Sequence, residues 1–273
     1  MKKIIFFAAV LLLSPPLFSQ EFSKVGTAAA QFLKFGVDAR SSALGGAHSG
    51  IYGDVASTFW NPAGIGSIRE PSLSISIMDL YADISHSYFG YVQPLTGTSA
   101  LGFSIIFLNS GKIEQTTLQD PNGTGVFYEV KNYMVGLTYS RYMTDKLIAG
   151  LNFKYVREEI WREVAQTYAF DIGTLLETDV LGIRLGMAIS NFGPNMRLHG
   201  DDLITRYETY LGDVRRRGAF MATEDWSLPL SFRVGVAADI AGKNGQLFKS
   251  DVNRITVLYD FHDANDSFQR SSK

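Results

Sequence analysis

The sequence predicts an all-β chain, an antiparallel transmembrane β-barrel with an N-terminal lumenal plug, and three observations carry that expectation. From about residue 72 onward, long segments alternate between apolar and small or polar residues with the period of two that a strand imposes. Beyond the first twenty positions no apolar run approaches the ~18 residues that a membrane helix needs. Residues 20–70 do not alternate and are instead rich in Gly, Ala and Ser.

Composition sets the outer bounds. With 273 residues, 46% hydrophobic and 19% charged, the chain is not disordered and is long enough for one large all-β domain. Twenty-six glycines and 13% aromatics against eight prolines suit sheets with many turns. A formal charge of −2 offers no general attraction for nucleic acid. There is no cysteine, which excludes an acylated lipoprotein, a disulfide scaffold and a thiolate metal site.

Residues 1–19 read as a secretory signal peptide, with basic Lys2 and Lys3, an apolar stretch from Ile4 to Leu13, and a Ser14-Pro15-Pro16 break before small Ser19. Export then follows. Residues 20–70 are expected to form the plug and 71–273 the barrel wall.

In the wall, Leu181, Ile183, Leu185, Met187 and Ile189 alternate with Gly182, Arg184, Gly186, Ala188 and Ser190. Leu228, Leu230, Phe232, Val234 and Val236 do so with Pro229, Ser231, Arg233 and Gly235, and Leu147 to Tyr155 repeats the pattern. Nine strands are expected, at 72–79, 84–93, 98–109, 126–142, 147–160, 164–177, 180–191, 228–241 and 252–262. A soluble sandwich also alternates. Two features favour a membrane: several strands reach the ~9 to 11 residues that a tilted span requires, and Tyr139 and Tyr155 lie near strand ends as an interfacial girdle would. Connections on one side are mostly short (94–97, 143–146, 178–179 and the longer 242–251), whereas 110–125 and 192–227 on the other are long, the asymmetry of bacterial barrels; the tight connections 80–83 and 161–163 on that outer side are exceptions.

Nine strands cannot return both chain ends to the periplasm, and the polar Arg270-Ser271-Ser272-Lys273 offers no closing strand. The expectation is therefore a truncated barrel. A strand hidden within one of the loops is the alternative explanation.

The segment 39–47 reads Ala-Arg-Ser-Ser-Ala-Leu-Gly-Gly-Ala, and Asp54 precedes a turn at Trp60-Asn61-Pro62-Ala63-Gly64. Small residues let turns pack closely against a wall, and Asn61 before Pro62 is driven out of the helical region. This stretch resembles the PorV/PorQ family of outer-membrane proteins, related to the long-chain fatty-acid transporter (FadL-type) family with its lumenal hatch. The residues carrying the resemblance are Arg40, Gly45, Gly46, Asp54, Trp60, Asn61, Pro62, Ala63 and Gly64. It implies a fourteen-stranded barrel, of which about nine strands would be present, and a bacterial outer-membrane location.

No catalytic or metal constellation is evident. His48, His86, His199 and His262 are far apart, and alternation places His86 on the face opposite Ser85 and Ser87. No enzyme activity and no cofactor are expected. Lys154, Asp171, Arg184, Arg233 and Asp239 fall on the small-residue face, toward the lumen, where opposite charges can pair or hold the plug. Arg215, Arg216 and Arg217 lie in the longest outer loop, as a solvated cluster or a contact for acidic groups. Two functions remain open. The resemblance implies a type IX secretion component that binds exported cargo proteins or translocon partners; the alternative is an uptake channel for a hydrophobic small molecule. Outer-membrane lipid is the expected surrounding in both, and nucleic acid is not an expected partner.

Overall fold

The computed structural model describes residues 27–178, 182–200, 203–207, 217–220, 223–242, 248–249, 252–265 and 271–272. The expected leader, 1–19, lies outside the described residues, as do Arg215 and Arg216.

Among the described residues, fifteen strands follow one another: β1 (Ser72–Asp79), β2 (Ser85–Thr96), β3 (Ser99–Asn109), β4 (Ile113–Glu114), β5 (Phe127–Tyr128), β6 (Val130–Tyr142), β7 (Leu147–Ile160), β8 (Glu163–Glu177), β9 (Ile183–Phe192), β10 (Ile204–Tyr207), β11 (Arg217–Phe220), β12 (Ser231–Gly242), β13 (Phe248–Lys249), β14 (Ile255–Ala264) and β15 (Ser271–Ser272). The main sheet runs β1-β2-β3-β6-β7-β8-β9-β12-β14-β15, with antiparallel neighbours throughout and β13 added in parallel to β12. Each long strand pairs with the next, so the sheet is a meander with local contacts. The hairpins β4–β5 and β10–β11 branch from its connections as separate two-stranded sheets.

All nine expected strands are present, with three corrections. The expected strand 126–142 is two: β5 pairs with β4, and only β6 joins the main sheet. The strand expected to begin at Leu228 begins at Ser231, and Leu228 is buried in the core rather than standing on the apolar sheet face. The polar end of the chain is not wholly outside the sheet, since Ser271 and Ser272 pair with His262 and Phe261.

The two faces of the sheet differ in composition. The buried face mixes charged and small residues with apolar ones, among them Tyr88, Ile106, Met134 and Val156, whereas rows of large apolar residues stand on the exposed face. Register aligns the exposed side chains into rows. Leu73, Tyr91, Phe103, Leu137, Phe153, Phe170 and Phe192 stand opposite one another from β1 to β9, and every one of them is exposed. An adjacent row holds Leu101, Tyr139, Leu151, Ile172, Ile189 and Phe232, also exposed.

The other face is covered by residues 28–68, which form short helical turns at Gln31–Lys34, Ala39–Ala43, Ser57–Trp60 and Pro62–Ser67. This segment touches strands that are far apart in the sheet. The Tyr88 hydroxyl on β2 lies 2.8 Å from Thr58 Oγ1, and Asp260 on β14 accepts from the His48 and Ser49 amides at 3.0 and 2.8 Å. Laid flat, those strands would be about 34 Å apart across the intervening neighbours. The His48 ring closes on Ser57, the neighbour of Thr58, at 3.0 Å, so one compact segment bridges them. The sheet is therefore strongly curved, with the segment on its concave side.

Candidate functional site

The site is built where the N-terminal segment meets the charged concave face. Its fit depends on residues without side chains. A Cβ at Gly150 would run into the backbone of Pro62 and Ala63, and one at Gly186 into the carbonyl of Ser49. Segment and sheet are in direct backbone contact there.

The expected turn residues organise the segment itself. Asn61, fully buried, caps the Pro62–Ser67 turn by accepting from the Ala63 amide at 3.2 Å, and it donates to the carbonyls of Ser49 and Thr174. One side chain thus ties two parts of the segment to β8. Pro62 opens that turn, where its missing N–H costs no hydrogen bond. Ala63 supplies a carbonyl to Ser140 on β6, and Gly64 packs against Ser57 and supplies its carbonyl to the Gly53 amide. Gly45 and Gly46 take positive φ, 68° and 84°, after the Ala39–Ala43 helix, the left-handed stop that glycine provides most readily. Arg40 and Asp54 form an exposed ion pair at 2.8 Å. Trp60 donates from its indole nitrogen to Asp38 at 2.9 Å.

The five charged residues expected on the small-residue face are all buried on the concave side, in two clusters. Lys154 contacts Asp171 at 2.7 Å and donates to Asn191 Oδ1 at 2.9 Å, while Asp171 also accepts from Asn152 Nδ2 and the Asn191 amide. Asn152 in turn donates to the Thr58 carbonyl, and the Lys154 ammonium lies over the Phe59 ring at 5.8 Å. Arg233 completes this cluster by stacking over Trp60 at 5.1 Å, with Ser190 3.4 Å away. In the second cluster Arg184 grips Asp239 through two nitrogens, at 2.8 and 3.2 Å, and donates to the Gly50 carbonyl. Asp239 also accepts from Thr256 and Arg254, and Tyr52 lies beneath both arginines. Lys154, Asp171, Arg184 and Asp239 are tolerated in the interior because each has an opposite charge and further hydrogen bonds, while Arg233 rests on the Trp60 face and Ser190.

Both acid–base pairs are diagonal across neighbouring strands: Lys154 faces Ala169, two residues from Asp171, and Arg184 faces Ala237, two residues from Asp239. A side chain as long as lysine or arginine spans that diagonal.

No family model, curated protein or solved structure matches this chain. Interpretation therefore rests on the site itself.

Several of its residues are not foreseen from sequence. Asn191 sits at a bulge, with φ 64°, where the β8–β9 register shifts; two consecutive residues, Ser190 and Asn191, then turn to the buried face. Asp38 and His48 form a buried chain. Ser41 gives its proton to Asp38 at 2.8 Å, so His48 must donate from Nδ1 to Ser41 at 2.6 Å and accept from Ser57 at Nε2. Burial pushes the imidazole down to about 4 despite the pull of Asp54 and Asp38, which keeps that neutral tautomer at physiological pH. Its neighbours leave no access for a substrate: His48 and Ser57 are both fully buried. His86 is buried on the concave side, opposite in sense to Ser85 and Ser87, as alternation requires.

Arg217 begins β11 on the 192–227 connection. Among the described residues no group of three or more His, Cys, Asp or Glu is placed to hold a metal ion, and no helix is long and apolar enough to cross a membrane.

Proposed function

We propose that the chain is a non-enzymatic outer-membrane protein of the PorV/PorQ type, its long strands forming a barrel wall and residues 20–70 a lumenal plug, which serves type IX protein secretion by binding exported cargo or translocon partners. One observation carries the membrane part. Contiguous apolar rows cross the exposed face, while the buried charges of the strands lie on the covered one. A water-soluble sheet would bury the first and expose the second; exposed apolar patches beyond a few hundred Å² mark a surface meant for something other than water. On β7 the exposed side runs Leu147, Ala149, Leu151, Phe153 and Tyr155 before Arg157 and Glu159. That apolar stretch, from Leu147 to Tyr155, meets the lower end of the ~9 to 11 residues that a tilted span requires.

The choice of secretion over uptake is supported by the fit of the segment against the sheet. An uptake channel needs an apolar space between plug and wall. Here glycine-deep backbone contact and two charge clusters occupy part of the contacts, and the apolar part, Phe32, Leu33, Phe59 and Trp60 against Tyr88, Ile106, Met134 and Val156, is packed and buried rather than open. The long connection 192–227, with its own β10–β11 hairpin, supplies an outer surface for a protein partner.

A photo-crosslinking amino acid at Glu224 in that connection tests the reading. In cells, it should form adducts with exported proteins that share a C-terminal sorting domain or with other secretion components. Absence of any protein adduct, with saturable binding of radiolabelled oleate to the purified chain, would overturn it in favour of uptake.

A further inference from the structure

The connections β3–β6 and β7–β8 meet at one end of the sheet and enclose a cleft of about 300 Å³. Aromatic and charged side chains share its lining. Trp161 and Phe127 are exposed, and the Trp161 ring meets Tyr128 edge to face at 5.5 Å. Lys112, Lys131, Glu129 and Glu159 supply two charges of each sign.

These charges already serve one another. Lys131 contacts Glu129 at 3.0 Å, and this hydrogen bond and charge hold the Glu129 carboxyl below the usual range. Glu159 accepts from Arg157 at 2.7 Å and from Tyr133 at 3.0 Å. An ionic ligand would have to break such pairs. A hydroxyl both donates and accepts, so it can join them using the remaining carboxylate lone pairs and ammonium protons.

Trp161 is the unusual member. It lies in the tight turn between β7 and β8 with φ 58°, a conformation that hairpins normally give to Gly, Asn or Asp. It belongs to none of the buried clusters and is 38% exposed; its ring meets Tyr128 at an edge and carries the Arg162 guanidinium over one face at 5.9 Å, which leaves the other face for a ligand. A strained, exposed aromatic residue beside a polar cleft points to a binding role.

We propose that this cleft binds a neutral, hydroxyl-rich saccharide. The sugar's C–H face lies on the negative face of the indole, and its hydroxyl rim meets the Glu129 and Glu159 carboxylates and the Lys112 and Lys131 ammonium groups. A ligand of this shape uses both halves of the lining at once.

The full chain, folded in lauryldimethylamine oxide micelles so that no sugar-headed detergent competes, is titrated by calorimetry. The probes are a panel of neutral hexose and N-acetylhexosamine trisaccharides, with phosphocholine and inorganic phosphate alongside. At least one trisaccharide should bind saturably. Trp161→Gly, which suits the positive φ and so preserves the turn, should weaken that binding at least tenfold. Glu129→Gln at the exposed rim should weaken it severalfold and provides a second reading independent of the turn. Binding of none of the trisaccharides, binding unchanged in both variants, or binding of phosphocholine or phosphate with the sugars silent would each overturn the proposal.

Discussion

Without its ammonium partner, the Asp171 carboxylate would stay buried with amide hydrogen bonds from Asn152 and Asn191 and the more distant charge of Arg233 to hold it. Breaking a buried pair from one side costs about 3 to 5 kcal/mol, because the remaining charge has lost its compensation. Lys154→Met should therefore lower the unfolding midpoint sharply, and Lys154→Met combined with Asp171→Leu should recover much of the loss. Denaturant titration of the single and double variants measures both. A double variant as unstable as the single one would show that the hydrogen bonds, not the charge pairing, carry the stability. At this scale the sequence reveals which face a charged residue takes, because parity along a strand fixes it. It does not reveal the partner. Lys154 and Asp171 become neighbours only once the β7–β8 register is known, and Asn191 reaches them only because a bulge suspends parity. His48 carries no local signal at all: its partners Ser41 and Ser57 come from turns whose packing the sheet determines.

Among the elements, the turn Pro62–Ser67 and strand β7 are in direct backbone contact, through Gly150. Gly150→Ala should push the segment from the sheet and destabilise the protein by about 1 to 3 kcal/mol, the usual cost of overpacking. Gly97→Ala is the control, since nothing lies within 4 Å of its added methyl. Limited proteolysis of residues 28–68 reads the difference; equal cleavage in the two variants would mean that this contact is not what holds the segment. The long strands are legible in sequence because their period of two persists for ten residues or more. The hairpins β4–β5 and β10–β11 are not, since two to four residues cannot establish a period. Leu228 shows how the same rule overreaches: alternation continues through Leu230, yet the chain turns there and carries Leu228 into the core with Phe32 and Met196.

For the whole molecule the decisive property is which solvent the exposed face meets. Leu137 and Leu151 are 52% and 57% exposed, in the middle of their rows. In water, arginine at either position would be nearly neutral or would improve solubility. In hydrocarbon each costs about 2 to 4 kcal/mol at the midplane. Leu137→Arg and Leu151→Arg should therefore impair membrane assembly in cell fractionation, whereas Leu118→Arg, in a loop, should not. Normal assembly of the first two would remove the basis for a lipid-facing wall. The curvature that brings Asp260 to the amides of His48 and Ser49 bears, finally, on the order in which the molecule forms. These hydrogen bonds join residues 212 and 211 positions apart, although most strands pair with a near neighbour in the chain, β9 and β12 being separated by the long connection. Strand pairing is thus mostly a series of short loop closures, while securing the N-terminal segment on this side must wait for β14. A segment made early is fastened late. Its Phe32, Leu33 and Phe59 gather their cover from β2 to β8 and from Met196 and Leu228, so the bonds to Asp260 complete a seat that is already largely built when β14 arrives.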